Sequence, residues 1–304
     1  MLLQDAHTHF FSRRFFELLA SEAGAGAAEL ERAAAAGGIA LPDPDPERHR
    51  ERWLTGLDAS GVARALCFAS HPKEAEVVAE ACSGSEGRLV GLTVLNLAAP
   101  EAGAFLETAL ASLGLSGVVL FPALHHYDLG DAALRPLLGR LADHNGLCVV
   151  HAGILKIKLR DLLGLPRVYD MAYANPLGIV PAANAFRSVR FVVPHFGAGF
   201  LRETLMLADQ CENVLVDTSS SNAWRRTQVP APTLTQVFQA ALAVLGPSRI
   251  LFGTDSSTFP RGYRRDVYEE QRQCLRQLKL PDDEQQLIFG GNLSGLLGPP
   301  PERA

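Results

Sequence analysis

The sequence contains no apolar run of the ~20 residues that a membrane-spanning helix needs. Positive charge is not in excess: 28 Lys and Arg stand against 33 Asp and Glu, a formal net charge of −5. That balance leaves no basic footprint for nucleic acid or an anionic membrane, so neither is an expected partner. Cysteine is scarce. Cys67, Cys82, Cys148, Cys211 and Cys274 are odd in number, widely spaced and without a Cys-x-x-Cys pair, which argues against a disulfide framework and against a cysteine zinc site. Cys67 and Cys148 fall in apolar runs, where a free thiol behaves as a small hydrophobe. The amino-terminal stretch meets Asp5 too early for a signal peptide. A reducing cytoplasm is therefore the expected location. No glycine-rich dinucleotide loop follows the first apolar run, which disfavours a doubly wound open sheet.

What is present is a rhythm. Eight short runs rich in valine, isoleucine, leucine and phenylalanine recur at Leu2–Ala6, Ala65–Ala69, Val90–Leu95, Gly117–Phe121, Leu147–His151, Arg190–His195, Val214–Asp217 and Ile250–Gly253. Their apolar character is continuous rather than alternating, as expected of parallel strands buried on both faces. Helical stretches lie between them, among them Pro100–Leu113, Ala133–Asn145 and Val267–Leu278. The 304 residues suit one (β/α)8 barrel of class α/β, the expected fold, spanning 1–298 with a frayed Pro-rich tail at 299–304. Two connections exceed the ordinary length. Residues 10–56 carry helices expected at Ser12–Ala23 and Ala27–Ala36 and a stiff turn at Pro42–Pro46; residues 152–188 carry Lys156, Lys158, Tyr169, Tyr173 and a helix near Pro181–Phe186. Material after strands one and five belongs over the barrel mouth, as a lid or as surface decoration.

The chemistry gathers at the carboxyl ends of these runs, the face on which such barrels act. His7-Thr8-His9 closes the first, and alternate strand residues share a side, so both imidazoles can converge on one ion. His151 ends the fifth, His195 the sixth and Asp255 the eighth. A single histidine on an apolar strand is more often a core residue than a ligand; the whole set on one rim reads as a site. Imidazoles with a carboxylate suit a divalent transition ion, which brings the pKa of a bound water from ~16 to near 7. A histidine beside it can move the proton.

These residues resemble the amidohydrolase superfamily, in the amidohydrolase-related branch that includes aminocarboxymuconate-semialdehyde decarboxylase and related aromatic-acid decarboxylases. The resemblance runs from Asp5-Ala6-His7-Thr8-His9 through His151, His195 and Gly253-Thr254-Asp255 to a Gly-Asn element in Phe289-Gly290-Gly291-Asn292-Leu293. It implies that His7, His9 and His151 are the nitrogen ligands of a metal and Asp255 its oxygen ligand. It also implies His195 as the acid–base group, with His195 and Asp255 as the catalytic residues. Dinuclear members carry a carboxylated lysine at the end of strand four; Gly117–Pro122 has none, so one metal is expected, zinc first, with manganese, iron or cobalt as alternatives.

Other residues are candidates for a small-molecule substrate: Lys156, His125, Trp224 as a pocket wall, and Arg261 for a substrate carboxylate. His125 and His126 also suit an exposed loop, and an arginine-rich loop at 261–265 a solvated surface. Asp5 suits a residue that orients a ligand histidine, or a turn cap. Asp217 heads a polar cluster, Thr218–Asn222, suited to substrate or to turns. Hydrolysis of a small amide, ester or lactone is the first expectation. Non-oxidative decarboxylation of a carboxylic acid follows, needing a cation from among Arg13, Arg14, Lys156 or 261–265. A non-catalytic barrel with a structural metal comes last. Barrels of this kind are often dimers, which makes a homodimer a candidate assembly.

Overall fold

Residues 2–219 and 222–301 are described in the structure, a computed structural model. Eight strands pair in parallel and in sequence order: β1 (Leu3–His9), β2 (Val62–Ala69), β3 (Leu89–Val94), β4 (Gly117–Leu120), β5 (Leu147–Val150), β6 (Arg190–Val193), β7 (Val214–Asp217) and β8 (Ile250–Leu251). The sheet closes on itself. Ala6 N–H donates to the Phe252 carbonyl at 2.8 Å, Asp255 N–H to that of His7 at 2.9 Å and His9 N–H to that of Ser256 at 2.8 Å. The expected (β/α)8 barrel is the observed fold.

The continuous apolar runs are explained by burial on both strand faces. Val119, Val149, Val192, Leu215 and Leu251 join Leu66, Phe68, Leu92 and Leu293 in one cluster fed by every strand, the barrel interior. Their neighbours Val118, Leu120, Cys148, Val150, Phe191, Val193 and Val216 pack outward with residues of the surrounding helices, among them Leu138, Leu207 and Phe238. No helix among the described residues is long and apolar enough to cross a membrane.

Strand ends deviate from the expected runs. His151 and His195 lie just beyond β5 and β6, and the Pro100–Leu113 stretch is an α-helix over Ala102–Glu107 that continues as a π-helix over Thr108–Ser112. The segment after β1 holds three helices rather than two: α1 (Arg13–Glu22), α2 (Ala27–Gly37) and α3 (Pro46–Ala59). The Pro-rich turn is the start of the third. Asp45 caps it by accepting from Glu47 N–H, and Pro46 takes the first helical position, where a missing N–H costs nothing.

The two long connections meet. Phe15, Phe16, Leu19 and Leu30 of the first form a separate apolar cluster with Leu159 and Leu165 of the second. Arg160 grips Glu22 through two hydrogen bonds of 2.9 and 3.0 Å. Ala40 also bridges Phe259 in the loop after β8, tying the first connection to the neighbourhood of Asp255.

The Gly-Asn element near the carboxyl end braces the seam. Asn292 donates to the carbonyls of Pro247 and Ile250 at 2.8 and 2.7 Å, fixing the start of β8. Gln4 on β1 donates to the Gly290 carbonyl at 2.8 Å.

Candidate active site

The site stands on the seam where β1 meets the residues after β8. Pairing register between β1 and β2 slips between Asp5 and Thr8, the kind of irregularity that re-aims a side chain. Gly253 makes the crowding tolerable: a Cβ there would lie 2.9 Å from the Cβ of His7 and 3.1 Å from that of Ser219. Asp5, fully buried, ties the seam by accepting from His7 N–H at 2.8 Å and from the Thr254 hydroxyl at 2.5 Å. Its part is to hold the backbone of His7, not its ring.

His7, His9 and Asp255 present donor atoms that all lie within 4.8 Å of one another. Asp255 Oδ1 is 3.8 Å from His7 Nε2 and 3.3 Å from His9 Nε2. Each imidazole spends its other nitrogen on a partner. His7 Nδ1 is 2.8 Å from Asp217 Oδ2, and His9 Nδ1 is 2.9 Å from Ser70 Oγ. A second set, His7, His195 and Asp217, is equally compact. His151 belongs to neither set; its ring centroid lies 5.5 Å from that of His195, and its other face stacks on Phe121 at 5.3 Å. The phenylalanine directly follows β4.

His195 and Asp255 share an unusual backbone. Both sit in the left-handed region, at φ 56° and 57°, as do Phe196 and Ala198. Such conformations cost energy for residues with a Cβ and gather at functional sites. The loop is enforced from outside: Asp217 Oδ1 accepts from His195 N–H at 3.2 Å, and Ile154 N–H donates to the Ala198 carbonyl at 2.9 Å.

Protons are distributed by burial and by the two aspartates. Burial opposes charge on His7, but Asp217 outweighs it and raises the imidazole above its ordinary value. Burial lowers His9, and burial with the neighbouring His195 and His7 holds His151 well below the usual range. His195 is lowered as well, by burial and then by His7. For Asp255, burial alone would raise the carboxyl; the hydrogen bond to His9 and the charges of His195, His9 and His7 hold it far below the carboxylate range. Asp217 behaves likewise, burial being outweighed by His7.

The hydrogen bonds also fix a tautomer. Ser219 donates its hydroxyl to Asp217 Oδ1. Its oxygen, 2.7 Å from His195 Nδ1, and its carbonyl, 3.2 Å away, can then only accept. His195 therefore carries its proton on Nδ1 and keeps a lone pair on Nε2.

The substrate candidates differ in their surroundings. Lys156 and Arg261 are exposed, the latter donating to Ser257 Oγ at 2.9 Å. Trp224 is buried, at 3% exposure, and its indole N–H finds no acceptor among the described residues. His125 is half-buried, its pKa pushed down to about 4 by burial. It lines a cavity of about 880 Å³ with Arg14, Ser70, Lys73 and Asn96. Arg13 is engaged by Glu17, and Arg264 by Asp266. In the cluster after β7, Ser220 and Ser221 lie outside the described residues. The strand-end rule applied to β2 would have found Ser70, which follows it directly. The pairing of Asp217 with His7, across 210 positions, had no local signal.

Residues 4–292 match the model of the amidohydrolase family. Among curated proteins, none matches the sequence. Solved structures of similar fold include 5-carboxyvanillate decarboxylase from Novosphingobium aromaticivorans, complexed with manganese and 4-hydroxy-3-methoxy-5-nitrobenzoic acid (14% identity, TM-score 0.65, covering 97% of this chain and 95% of that one). A probable 2-pyrone-4,6-dicarboxylic acid hydrolase from Acinetobacter baumannii, with citric acid bound, is similar at 16% identity and TM-score 0.61 (98% and 100% covered). An amidohydrolase from Burkholderia multivorans with bound zinc is similar at 15% identity and TM-score 0.62 (97% and 99% covered). At these identities the likeness is one of fold.

Proposed function

The chain belongs to the amidohydrolase family, and from that premise we propose that it is a metal-dependent hydrolase of a small amide, ester or lactone. His7, His9 and Asp255 are the proposed holders of a single divalent ion, with His151 as the remaining nitrogen donor. The spacing supports this: two ligands ~2.1 Å from a tetrahedral ion stand ~3.4 Å apart, against the 3.3 and 3.8 Å between Asp255 Oδ1 and the two imidazole nitrogens. The donor chemistry fits too, since neutral imidazoles with one carboxylate suit zinc, and manganese, iron or cobalt less selectively. Similar folds hold zinc or manganese, and zinc remains first choice here. When bound, such an ion acidifies water and polarises a carbonyl.

One observation carries hydrolysis ahead of the alternatives. His195 is a neutral imidazole with its proton fixed on Nδ1, hence a base at Nε2. It takes a proton from the attacking water and returns it to the leaving group; the Asp217–Ser219 pair keeps the ring oriented through both transfers. A second reading, non-oxidative decarboxylation, is favoured by the cationic Arg14 and Lys73 beside His125 in the 880 Å³ cavity, groups able to take a carboxylate.

The test joins elemental analysis with a panel of amides, esters, lactones and carboxylates. We expect about one transition metal per chain, lost in Asp255→Ala, and His195→Ala retaining metal while turnover falls ~10²–10⁴-fold. Because burial lowers His195, the limb of the kcat/KM profile that reports its protonation should lie below pH 6.5 and vanish in His195→Ala. Carbon dioxide release without hydrolysis of any panel member would replace the first reading by the second. Full turnover in His195→Ala would remove its assignment.

A further inference from the structure

The carboxylate of Glu74 is completely buried, yet it lies outside the donor sets described above. Its Oε1 accepts from the backbone N–H and the hydroxyl of Ser12, at 2.6 and 2.8 Å. Its Oε2 accepts from Ser70 N–H at 2.8 Å. It thus clamps the chain three residues past His9 to the residue that directly follows β2. Ser70 is also the residue whose hydroxyl stands 2.9 Å from His9 Nδ1. A buried carboxylate that has no ion-pair partner among the described residues is costly unless hydrogen bonds satisfy it.

We propose that Glu74 is a positioning residue for the metal centre, acting through Ser70 to set the orientation and tautomer of His9. The proposal rests on the reading of His7, His9 and Asp255 as metal-holding residues. An imidazole that offers Nε2 to a metal must carry its proton on Nδ1, and that proton needs an acceptor. For His7 the acceptor is Asp217 Oδ2. For His9 it is Ser70 Oγ, a rotatable hydroxyl on a loop, which holds its place only if the Ser70 backbone is itself held. Glu74 supplies that hold. His9 needs it more than His7 does, because its ring is 17% exposed against 4% and has less packing to confine it.

Near-isosteric substitution separates this from a general packing role. Glu74→Gln can keep its carbonyl oxygen on the two Ser12 donors, which turns its amide NH2 against Ser70 N–H, where it cannot accept. Zinc affinity is measured on the full chain by competition with a chromophoric chelator, and folding by circular dichroism and thermal unfolding. Expected are 10–100-fold weaker zinc binding in Ser70→Ala and in Glu74→Gln, and recovery of most of it in Ser70→Thr, which keeps the hydroxyl. If Glu74→Gln does not fold, Glu74→Asp, with a shorter reach, takes its place under the same expectation. Unchanged zinc affinity in folded Ser70→Ala, or in the folded Glu74 variant, overturns the proposal while leaving the metal centre standing. Failure of the wild-type chain to bind zinc or manganese overturns the metal reading, and this inference with it.

Discussion

Asp217→Asn is the substitution that interrogates the site most sharply, because it changes one atom and should change a tautomer two residues deep. The buried carboxylate divides its oxygens between tasks. Oδ1 accepts from Ser219 N–H at 2.9 Å, His195 N–H at 3.2 Å and the Ser219 hydroxyl, while Oδ2 faces, among the described residues, His7 Nδ1 at 2.8 Å. An asparagine must keep its oxygen on the side with several donors, so its NH2 turns to His7. There it can only donate, and His7 Nδ1 must become an acceptor, moving the ring proton to Nε2. That proton occupies the lone pair facing Asp255. Loss of an orienting partner of this kind costs ~10–100-fold in metal affinity, which is ~1.4–2.7 kcal/mol. Competition titration with a chelator measures it, and kcat/KM on an active substrate should fall at least in step. The backbone donors to Oδ1 remain served, so the fold around β7 should persist in Asp217→Asn, as circular dichroism would show. Unaltered metal affinity in Asp217→Asn would falsify the claim that Asp217 holds His7 in its ligating tautomer.

Two further substitutions probe how the rim is held. Gly153→Ala places a Cβ 2.3 Å from the Ala198 carbonyl at a residue with φ +73°, so the loops after β5 and β6 must part. A loss of ~2 kcal/mol or more is expected from urea unfolding, together with reduced turnover; an unmoved midpoint would mean the loops are not packed as described. Asp5→Asn tests a proton. Burial pushes the Asp5 carboxyl up to about 6 in the folded protein, against an ordinary 3.8. A raised acid favours the fold when protonated, so this contribution is complete below pH 4 and is lost as pH rises to about 6. Asparagine cannot ionise, so the stability difference between wild type and Asp5→Asn, measured without metal, should shift across pH 4–6 by an amount on the order of 3 kcal/mol. A difference independent of pH over that window would show that Asp5 is ionised throughout.

Much of the molecule is legible from its residues because the signals are local. A strand buried on both faces must be apolar throughout, so the eight runs announce themselves, and their long connections leave room for crossover helices. A barrel then places every strand end on one rim, which made His7, His9, His151, His195 and Asp255 candidates without any knowledge of their distances. The third helix of the first connection was not read, because Asp45-Pro46 signals a turn and a helix start equally well. The side chain of Ser12 is turned to Glu74 rather than to its own helix, another contact that no neighbour in sequence foretells.

What local signals could not convey is which neighbour each group would meet. Strand order follows from the chain, but hydrogen-bond partners depend on register and on the slip in β1, which sum over the closed sheet. The sequence alone determined the barrel, the rim and the residue types that stand on it. Tertiary structure alone decided that Asp217 meets His7, that Ser70 meets His9 with Glu74 behind it, that Asp5 holds backbone rather than a ring, and that His195 turns Nδ1 to Ser219. A proton's place is set by atoms within about 3 Å, and here those atoms come from strands whose order in the chain says nothing of their spacing.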